Sequence, residues 1–534
     1  MDSYDFIVVG AGSAGCAAAA RLSESGKYSV VLLEAGGRDM NPWIHIPVGY
    51  FRTMGNPSTD WMYVTRPDPG LNGRTIDWPR GKVLGGSSSI NGLLYVRGQA
   101  QDYDSWCQMG NEGWGWDDVL PFFKKSETWT GDPKGADRGT NGPLKVSSMR
   151  LSRAVADLWV EAATNAGYQK NEDYNSGDQE GVGYFQQTQY NGRRWSSARA
   201  YLRPARNRGN LHVITCAQAE KILIQDGRAV GIRARIKGRM TDLCANAEVL
   251  LCTGAIGSPQ MLMLSGIGDA EELGNHGIKV TKHLPGVGRN LQDHLQARPV
   301  YKTTLSTMNV EVNSIFKQGL IALRYALTRT GPMTLAASLG TGFLKTNDLL
   351  ETPDIQFHIQ PFSADKPADG THMFSGFTTS VLQLRPESAG ELRLKSADMD
   401  DHPDIYPNYL ATETDQRTIV AGIQVARRIS GTSPLKEHIT EEYAPGQEIT
   451  LDDYEGTLNW ARDTAVTIYH PTGTCKMGRD NMAVVDPRLR VHGIDRLRVA
   501  DASVMPRIVS GNTNAPCIMI GEKVAHMMQE DARP

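Results

Sequence analysis

The sequence has few of the residues that would indicate a metal centre or a disulfide framework. Its seven cysteines are scattered over 534 residues, with no Cys-x-x-Cys pair and no cluster with histidine. An odd, dispersed set of this kind argues against paired disulfides and against a structural zinc site. We therefore expect neither disulfides nor a bound metal.

Long apolar runs and an excess of charge of one sign are also missing. No run approaches the about 20 apolar residues that a membrane span needs. The 56 basic and 59 acidic residues give a net charge of −3, which offers no electrostatic reason to bind nucleic acid. The first apolar run starts within a few residues of the N-terminus, which leaves no room for a signal peptide. We expect a cytoplasmic protein without an integral membrane segment or a nucleic-acid partner.

The N-terminal segment has the pattern of a dinucleotide-binding unit. Residues 4–9 form a short apolar run typical of a buried parallel strand, and Gly10, Gly12 and Gly15 follow in Gly-x-Gly-x-x-Gly spacing. These glycines permit a tight turn, close approach to a pyrophosphate and close packing of helix on strand. A second apolar run ends in Glu34, where an acid would meet the adenosine ribose. The pattern predicts a bound dinucleotide but does not separate NAD from FAD.

Five further motifs favour FAD over NAD. They are NGRTIDWPRGKVLGGSSSINGLLYVRG (72–98), CTGAIGSPQMLMLSGIG (252–268), LPGVGRNLQDH (284–294), YHPTGTCKMG (469–478) and VADASVMPRIVSGNTNAPCIMIGEKVA (499–525). Together with the first loop, and in this order along nearly the whole chain, they resemble the glucose–methanol–choline (GMC) oxidoreductase family. The likeness is to its bacterial choline-dehydrogenase-like and alcohol-dehydrogenase-like members. It implies bound FAD and oxidation of an alcohol to an aldehyde or ketone.

The resemblance also implies which residues contact FAD. The glycine–serine loop after residue 80 would lie along the flavin ring, since its small side chains and N–H groups suit a planar ligand. The residues carried over as cofactor contacts are Gly10, Gly12, Ser13, Ala14, Gly15, Glu34, Ala35, Arg80, Val83, Gly85, Gly86, Ser87, Asn91, Gly92, Leu93, Ala219, Ala255, Ser258, Asp501, Ala502 and Pro516. Some members attach FAD covalently through this loop. The aligned residue here is Ile90, which cannot form such a bond, so we expect non-covalent FAD.

Two residues are expected to carry the chemistry. His470, in YHPTGTCKMG, stands where the family places its catalytic histidine, and an imidazole can take a proton near neutral pH. Asn514, in SGNTNAP, would donate to the substrate oxygen and orient the alkoxide. Because Ala515 and Pro516 follow it, Asn514 also resembles the N-cap of a helix whose N–H groups would face the flavin.

The region between about residues 297 and 465 contains strand-like runs but no cofactor motif. The runs 354–359, 379–384 and 391–394 predict an antiparallel sheet, which the family uses as the floor of its substrate pocket. Residues 314–329 have helical periodicity and carry Lys317, Arg324 and Arg329. We interpret this segment as a packed surface helix, with peripheral contact to a membrane as the alternative.

The predicted fold is α/β, with a Rossmann-like FAD-binding domain and an α+β substrate domain built on an antiparallel sheet. We expect the FAD-binding domain to be discontinuous, with parts at 1–155, 205–300 and 466–534. The substrate domain would comprise residues 156–204 and 301–465. The length of the chain agrees with two structural units.

Substrate and electron acceptor stay open at this point. Choline would need a carboxylate and an aromatic cage, for which Glu311, Trp61 and Tyr63 are candidates that nothing in the sequence brings together. We expect a primary, uncharged alcohol whose electrons pass to a quinone or another carrier. The alternatives are an oxidase that reduces O2 to H2O2, a choline dehydrogenase and a hydroxynitrile lyase. A flavin-binding protein without catalysis is disfavoured by His470 and Asn514.

Overall fold

A seven-stranded sheet forms around the apolar N-terminal strand. The computed structural model describes residues 2–131, 137–365 and 370–532. In spatial order the strands are Leu211–Thr215, Val30–Glu34, Ser3–Val9, Arg239–Leu251, Arg228–Ile236 and Ala217–Gln225, and Leu497–Val499 also pairs with Arg239–Leu251. The strands at 211–215, 30–34, 3–9, 239–251 and 497–499 are parallel to their neighbours in this group. All of Val30–Glu34 is buried, as a parallel strand covered on both faces requires.

The helix after the glycine loop packs against the last helix of the chain. The first, Ser13–Leu22, is rich in alanine and almost wholly buried. The second, Asn514–Asp531, crosses it so closely that a Cβ on Gly521 would lie 2.4 Å from the carbonyl oxygen of Ala14. The two ends of the chain therefore meet at the carboxyl edge of the parallel strands.

An eight-stranded antiparallel sheet forms the second layer. In spatial order its strands are Ile439–Ala444, Val300–Thr303, Gly376–Gln383, Ile355–Gln360, Gly340–Leu344 and Gly181–Tyr184, with Leu295–Ala297 pairing with both Gly376–Gln383 and Val466–Thr467. The helices Ala154–Asn165 and Glu413–Ser430 cover it. Two of the predicted runs form its strands 355–360 and 376–383.

The third predicted run belongs elsewhere. Gly390–Arg393 pairs with Arg289–Leu291 and Asp404–Tyr406 in a separate three-stranded sheet, so its assignment to the same antiparallel sheet is wrong. Only Leu392 of this strand is buried. A single buried side chain predicts a strand but does not specify which sheet that strand joins.

Shorter elements connect these layers. The remaining strands are Tyr63–Val64, Asp77–Trp78, Glu127–Trp129, Leu144–Ser148, Gln186–Gln187, Gln189–Tyr190, Arg193–Arg194, Ile267–Gly268 and Lys282–His283. The remaining helices and helical turns are Pro42–His45, Pro47–Gly49, Tyr50–Thr53, Pro69–Leu71, Gly86–Ser89, Ala100–Gln108, Trp116–Ser126, Ala198–Leu202, Arg203–Ala205, Gly254–Leu264, Ala270–Asn275, Met308–Val312, Ile315–Thr328, Pro332–Thr334, Leu435–His438, Tyr454–Thr464 and Ala502–Val504.

The helix predicted over 314–329 forms between Ile315 and Thr328, but it is not packed as expected. Tyr325 is its one buried residue, and most of its apolar side chains are exposed. The expected packed surface helix therefore buries Tyr325 but leaves its apolar face uncovered. Within the described ranges no helix is long and apolar enough to cross a membrane.

Candidate active site

A cavity of about 1180 Å³ lies between the two large sheets. One end is lined by residues at the carboxyl ends of parallel strands, among them Val9, Glu34 and Cys252, which is where ligands bind in open α/β sheets. The other end is lined by Gln296 and His358 of the antiparallel sheet. The volume exceeds the roughly 300–1,000 Å³ of ordinary small-molecule pockets, so it can hold a dinucleotide together with a substrate.

The glycine loop is built for close backbone contact. Gly10 has φ +96°, and a Cβ there would lie 2.5 Å from the carbonyl oxygen of Cys252. A Cβ on Gly15 would lie 1.9 Å from the carbonyl oxygen of Gly10, so helix and strand meet without space for a side chain. Gly12 instead lines the cavity as the N-cap of helix 13–22, without a side-chain cap. The helix N-terminus is thus available to an anionic ligand.

Glu34 marks the end of the cavity expected to hold the ribose. Its carboxylate accepts hydrogen bonds from the backbone N–H groups of Ala11 at 3.0 Å and Gly36 at 2.8 Å. Burial raises the pKa of Glu34 to about 7 although both bonds oppose the shift. The carboxyl group is therefore held firmly beside the glycine loop.

The glycine–serine loop reaches the same cavity from the other side. Gly86 has φ +53°, and a Cβ on it would lie 2.7 Å from the Cα of Gly12, so two glycine loops touch. The predicted cofactor contacts that line the cavity are Gly10, Gly12, Ser13, Ala14, Glu34, Ala35, Arg80, Gly86, Ser87, Asn91, Gly92, Leu93, Ala219, Ala255, Asp501 and Ala502. This glycine-lined cradle fits FAD.

Five predicted contacts do not line the cavity and support its walls instead. They are Gly15, Val83, Gly85, Ser258 and Pro516. Ser258 Oγ donates to Asp501 Oδ2 at 2.6 Å, and Gly85 N donates to the carbonyl of Ala11 at 2.8 Å. Asp501 also accepts from the N–H groups of Gly254 and Ser503, so its carboxylate ties together the start of helix 254–264 and the turn 502–504.

A chain of hydrogen bonds determines the tautomer of His470. His294 Nε2 lies 2.9 Å from the carbonyl oxygen of Leu384, which can only accept, so this nitrogen carries the proton. In a neutral ring, His294 Nδ1 then accepts. His470 Nδ1, 3.0 Å away, therefore donates to it, and His470 Nε2 keeps its lone pair. Asn512 Nδ2 lies 3.0 Å from that Nε2 and donates to it.

The pKa values agree with neutral rings. Burial lowers the pKa of His294 to about 4. Burial, and then the neighbouring His294, His358 and Arg80, lower the pKa of His470 well below its usual value of 6.5. Both imidazoles are therefore uncharged at neutral pH, which is the state in which His470 can accept a proton.

The backbone of His470 is fixed as well. Asp293 Oδ1 accepts from the His470 N–H at 2.7 Å, while Asp293 Oδ2 accepts from Thr467 Oγ1 at 2.5 Å and from the Tyr409 hydroxyl. Tyr469 has φ +69°, a left-handed conformation that costs a residue with a Cβ about 1–3 kcal/mol. Arg80 Nη2 donates to the Tyr469 carbonyl at 2.6 Å and holds this conformation.

The structure brings the amide of Asn512, and not that of Asn514, within hydrogen-bonding distance of His470. Asn514 lines the cavity, but its Oδ1 accepts from Ser13 Oγ at 2.7 Å in the glycine loop. The amide beside His470 is that of Asn512. The last helix begins at Asn514 with Thr513 as its N-cap, so the predicted N-cap was also one residue late. His294 and Asn512, to which we had assigned no role, both lie within motifs already recognised (284–294 and 499–525).

The far end of the cavity is polar and includes a cation. Arg298 lies with Gln296 and Gln360 on the cavity wall. Among the described residues, its buried Nε has no hydrogen-bond partner. Its Nη2 makes one long contact, 3.4 Å, to Gln360 Oε1. Burial lowers the pKa of Arg298. An under-satisfied guanidinium therefore faces the space left for the substrate.

The residues considered for choline are not brought together. Trp61 and Tyr63 stack at a centroid distance of 6.0 Å and line the cavity. Glu311 does not line it, because its carboxylate is paired with the Arg153 guanidinium at 2.7 and 2.8 Å. The carboxylate that a choline cage would need is thus bound to Arg153 instead.

A glycine loop after the first parallel strand, a cavity sized for dinucleotide and substrate, and a neutral histidine within it define a dinucleotide-dependent oxidoreductase. The family models of the GMC oxidoreductases match residues 4–296 and 386–521, and the chain belongs to this family. This confirms the α/β fold class and the prediction of an FAD-dependent oxidoreductase that acts on CH–OH groups. GMC oxidoreductases bind FAD.

Relatives of known name span the full length of the chain. It is 42% identical over 528 residues to the alcohol dehydrogenase [acceptor] of Pseudomonas putida, covering 98% of this chain and 95% of the relative. It is 40% identical over 523 residues to an oxygen-dependent choline dehydrogenase of Brucella anthropi, covering 98% and 94%. Among solved structures, pyridoxine 4-oxidase from Mesorbium loti has a TM-score of 0.88 at 30% identity, with 99% of each chain covered. The R554A variant of formate oxidase from Aspergillus oryzae RIB40 has a TM-score of 0.91 at 28% identity and the same coverage.

Proposed function

We propose that the protein oxidises an alcohol with His470 as the base for the hydroxyl proton. The observation that carries this proposal is the hydrogen-bond chain that leaves His470 Nε2 unprotonated, so that a substrate hydroxyl can replace the Asn512 amide as the donor to its lone pair. FAD, when bound, supplies the acceptor for the hydride. Asn512 has a second N–H that can donate to the substrate oxygen and stabilise the charge that develops there. Asn512 thereby takes the role that we had predicted for Asn514.

The FAD-binding roles are part of the same proposal. The glycine loop at 10–15 would hold the pyrophosphate, Glu34 the adenosine ribose, and residues 86–93 the flavin. Ile90 lines the cavity and has a hydrocarbon side chain, which supports non-covalent attachment. Acid precipitation should therefore release FAD into the supernatant. The domain limits at 155, 204, 300 and 465 and the cytoplasmic location remain predictions.

We propose that the substrate is a primary alcohol without positive charge. Arg298 would repel a quaternary ammonium group, and Glu311 is not available to bind one. Choline should therefore be a poor substrate, although relatives named choline dehydrogenase are about as similar as the alcohol dehydrogenase.

The electron acceptor is proposed to be a quinone or another carrier. The relative named alcohol dehydrogenase [acceptor] supports this. The likeness to pyridoxine 4-oxidase and formate oxidase favours a second candidate, an oxidase that reduces O2 to H2O2. The two candidates share the base and the amide and differ only in the oxidative half-reaction.

The test is an anaerobic titration of the holoenzyme with primary, aryl and polyol alcohols and with choline. We expect an uncharged primary alcohol to bleach the oxidised-flavin band and choline to leave it unchanged. Slow recovery of the oxidised-flavin band on admission of air would identify a dehydrogenase. Rapid recovery of this band with release of peroxide would identify an oxidase. If no alcohol bleaches the flavin, the proposed redox function is wrong and a lyase becomes the better hypothesis.

Two amide variants test the assignment of Asn512. Asn512→Ala should slow flavin reduction by about 10- to 100-fold while the absorbance of bound FAD persists. Asn514→Ala should leave the rate of reduction nearly unchanged and weaken FAD retention, since it loses the contact with Ser13. The opposite pattern would restore Asn514 to the catalytic role.

A further inference from the structure

The helix Ile315–Thr328 presents an apolar stripe to solvent. Phe316, Leu320, Leu323 and Leu327 recur at helical spacing on one face, with side-chain exposures of 75, 51, 56 and 76%. Ile315 extends the stripe at 86% exposure. A contiguous apolar face of this kind is characteristic of a surface that binds another protein or a membrane.

The helix is anchored to the rest of the protein through its buried side. The Tyr325 hydroxyl donates to the carbonyl of Gly192 at 2.8 Å, and Arg329 ends the helix in a left-handed conformation at φ +56°. The Arg329 guanidinium lies 4.9 Å from the centroid of the Tyr325 ring. The apolar stripe is therefore the outer face of an anchored helix.

Cations border the stripe, and acids are missing from this part of the chain. Lys317 and Arg324 are exposed on the flank of the stripe, and Arg329 follows at its end. Residues 312–347 contain no Asp or Glu, whereas the whole protein carries a net charge of −3. Burial raises the pKa of Tyr325, and Arg329, Arg193 and Arg199 are close enough to oppose that shift. Burial and the neighbouring Arg203 and Arg193 lower the pKa of Arg199, and Asp39 and Tyr325 oppose this shift. The basic character is thus local to this face.

The same face adjoins the walls of the cavity. The helix packs on the turn Pro332–Thr334, which packs on the turn Pro47–Gly49. Tyr50 and Phe51 follow directly and line the cavity. Phe51 is 37% exposed, and Trp43, just before the turn, is exposed with the Arg52 guanidinium 5.9 Å from its ring. Aromatic residues beside cations extend the stripe toward the cavity.

We propose that this face docks on the surface of a lipid bilayer that contains anionic headgroups. The apolar stripe would enter the acyl boundary while Lys317, Arg324 and Arg329 bind the headgroup phosphates, which is how interfacial helices bind. A second copy of the chain suits the face less well. A two-fold dimer would bring the same cations together, without an acid from 312–347 to pair them.

The experiment measures co-sedimentation of the full-length holoenzyme with vesicles. Vesicles of phosphatidylcholine with about one-third phosphatidylglycerol should retain the protein, and high salt or pure phosphatidylcholine should weaken retention. Leu323→Ser combined with Leu327→Ser should lower the partition coefficient by at least about tenfold. Lys317→Ala combined with Arg324→Ala should lower it by roughly fivefold per charge removed. None of these residues lies in the cavity, so turnover of a soluble alcohol should not change.

Leu349→Ser is the matched control. Leu349 is 89% exposed but lies outside this face, so vesicle binding of the variant should equal that of the wild type. Absence of binding to anionic vesicles would overturn the proposal, as would equal loss in the control. A concentration-dependent dimer in sedimentation velocity that disappears in the Leu323/Leu327 variant would assign the face to a second copy instead. The test does not depend on the proposed catalytic function.

Discussion

At the scale of single residues, the proposed chemistry depends on one proton whose position two neighbours determine. The Leu384 carbonyl sets the tautomer of His294, and His294 sets that of His470. The motif YHPTGTCKMG predicted His470 as the base, and the structure places this residue in the wall of the cavity. Sequence motifs did not distinguish Asn512 from Asn514, since the two amides are two positions apart in one motif. Only the start of the helix at Asn514 turns one toward the glycine loop and leaves the other beside His470.

His470→Ala should reduce kcat by about 10²–10⁴-fold because it removes the base. In the wild type, the depressed pKa of His470 keeps the base neutral as pH falls past 6.5. Turnover at saturating alcohol should therefore stay level to below pH 6.5 and then fall as His470 becomes protonated. Stopped-flow measurement of the rate of flavin reduction at a series of pH values checks both the effect of His470→Ala and the pH dependence of the wild type. An acid limb centred above pH 6.5 would contradict the assignment.

His294→Leu should lower kcat by about tenfold with little change in KM, because His470 Nδ1 loses its acceptor and the tautomer is no longer fixed. His294→Asn offers an amide oxygen in a similar place and should recover part of the rate. Equal damage in both variants, or a change confined to KM, would argue that His294 only fills space.

Arg298→Gln should raise the ratio of kcat/KM for choline to that for an uncharged alcohol by about tenfold or more, since a cation no longer opposes the ammonium group. Arg298→Lys keeps the charge and should leave the ratio near the wild-type value. Steady-state kinetics with choline and with an uncharged alcohol measures this ratio for each variant. An unchanged ratio in Arg298→Gln would show that the cation does not exclude choline.

At the scale of elements, periodicity located strands and helices better than it located their partners. The runs at 354–359 and 379–384 and the helix at 314–329 form within a few residues of their predicted bounds. The strand 390–393 joins a different sheet, and helix 315–328 buries only Tyr325. A local pattern indicates which side of a strand or helix is apolar. Distant chain segments determine what that side packs against.

Gly521→Ala should destabilise the protein by about 1–3 kcal/mol and weaken FAD retention, because its methyl group would meet the Ala14 backbone at the crossing of helices 13–22 and 514–531. Gly319→Ala is the matched helical control, as nothing lies within 4 Å of its Cβ position. It should be neutral or stabilising by up to about 1 kcal/mol. Denaturant unfolding measures both, and equal effects would contradict the close crossing.

At the scale of the whole molecule, buried histidines should make the fold sensitive to acid. Burial lowers the pKa of His294 to about 4 and of His358 to about 3, and His470 is depressed too. Below pH 6.5 the unfolded chain binds protons that the folded protein excludes. The stability is therefore complete above pH 6.5 and declines as pH falls, by about 1.4 kcal/mol per pH unit and group. Glu34, with its pKa raised to about 7, opposes part of this between pH 7 and 4.5.

Denaturant unfolding at pH 7, 6 and 5 measures this slope. His358→Gln should reduce it by roughly one proton, since one of the three histidines no longer contributes. A free energy of unfolding that is constant over this range would contradict the burial of neutral histidines.

The seven-stranded sheet also sets an order of events during synthesis. Its strands between residues 3 and 251 are made well before the strand Leu497–Val499 and the helix Asn514–Asp531, which crosses helix 13–22. At about 5–20 residues per second, the strand Arg239–Leu251 waits roughly 12 seconds or longer for Leu497–Val499, which pairs with it. One edge of that strand, at residues 249–251, therefore stays unpaired until residues 497–499 have been made. The cradle for the cofactor is complete only after its cavity-lining residues between 501 and 517 have been made, so a chain truncated before them should not retain FAD.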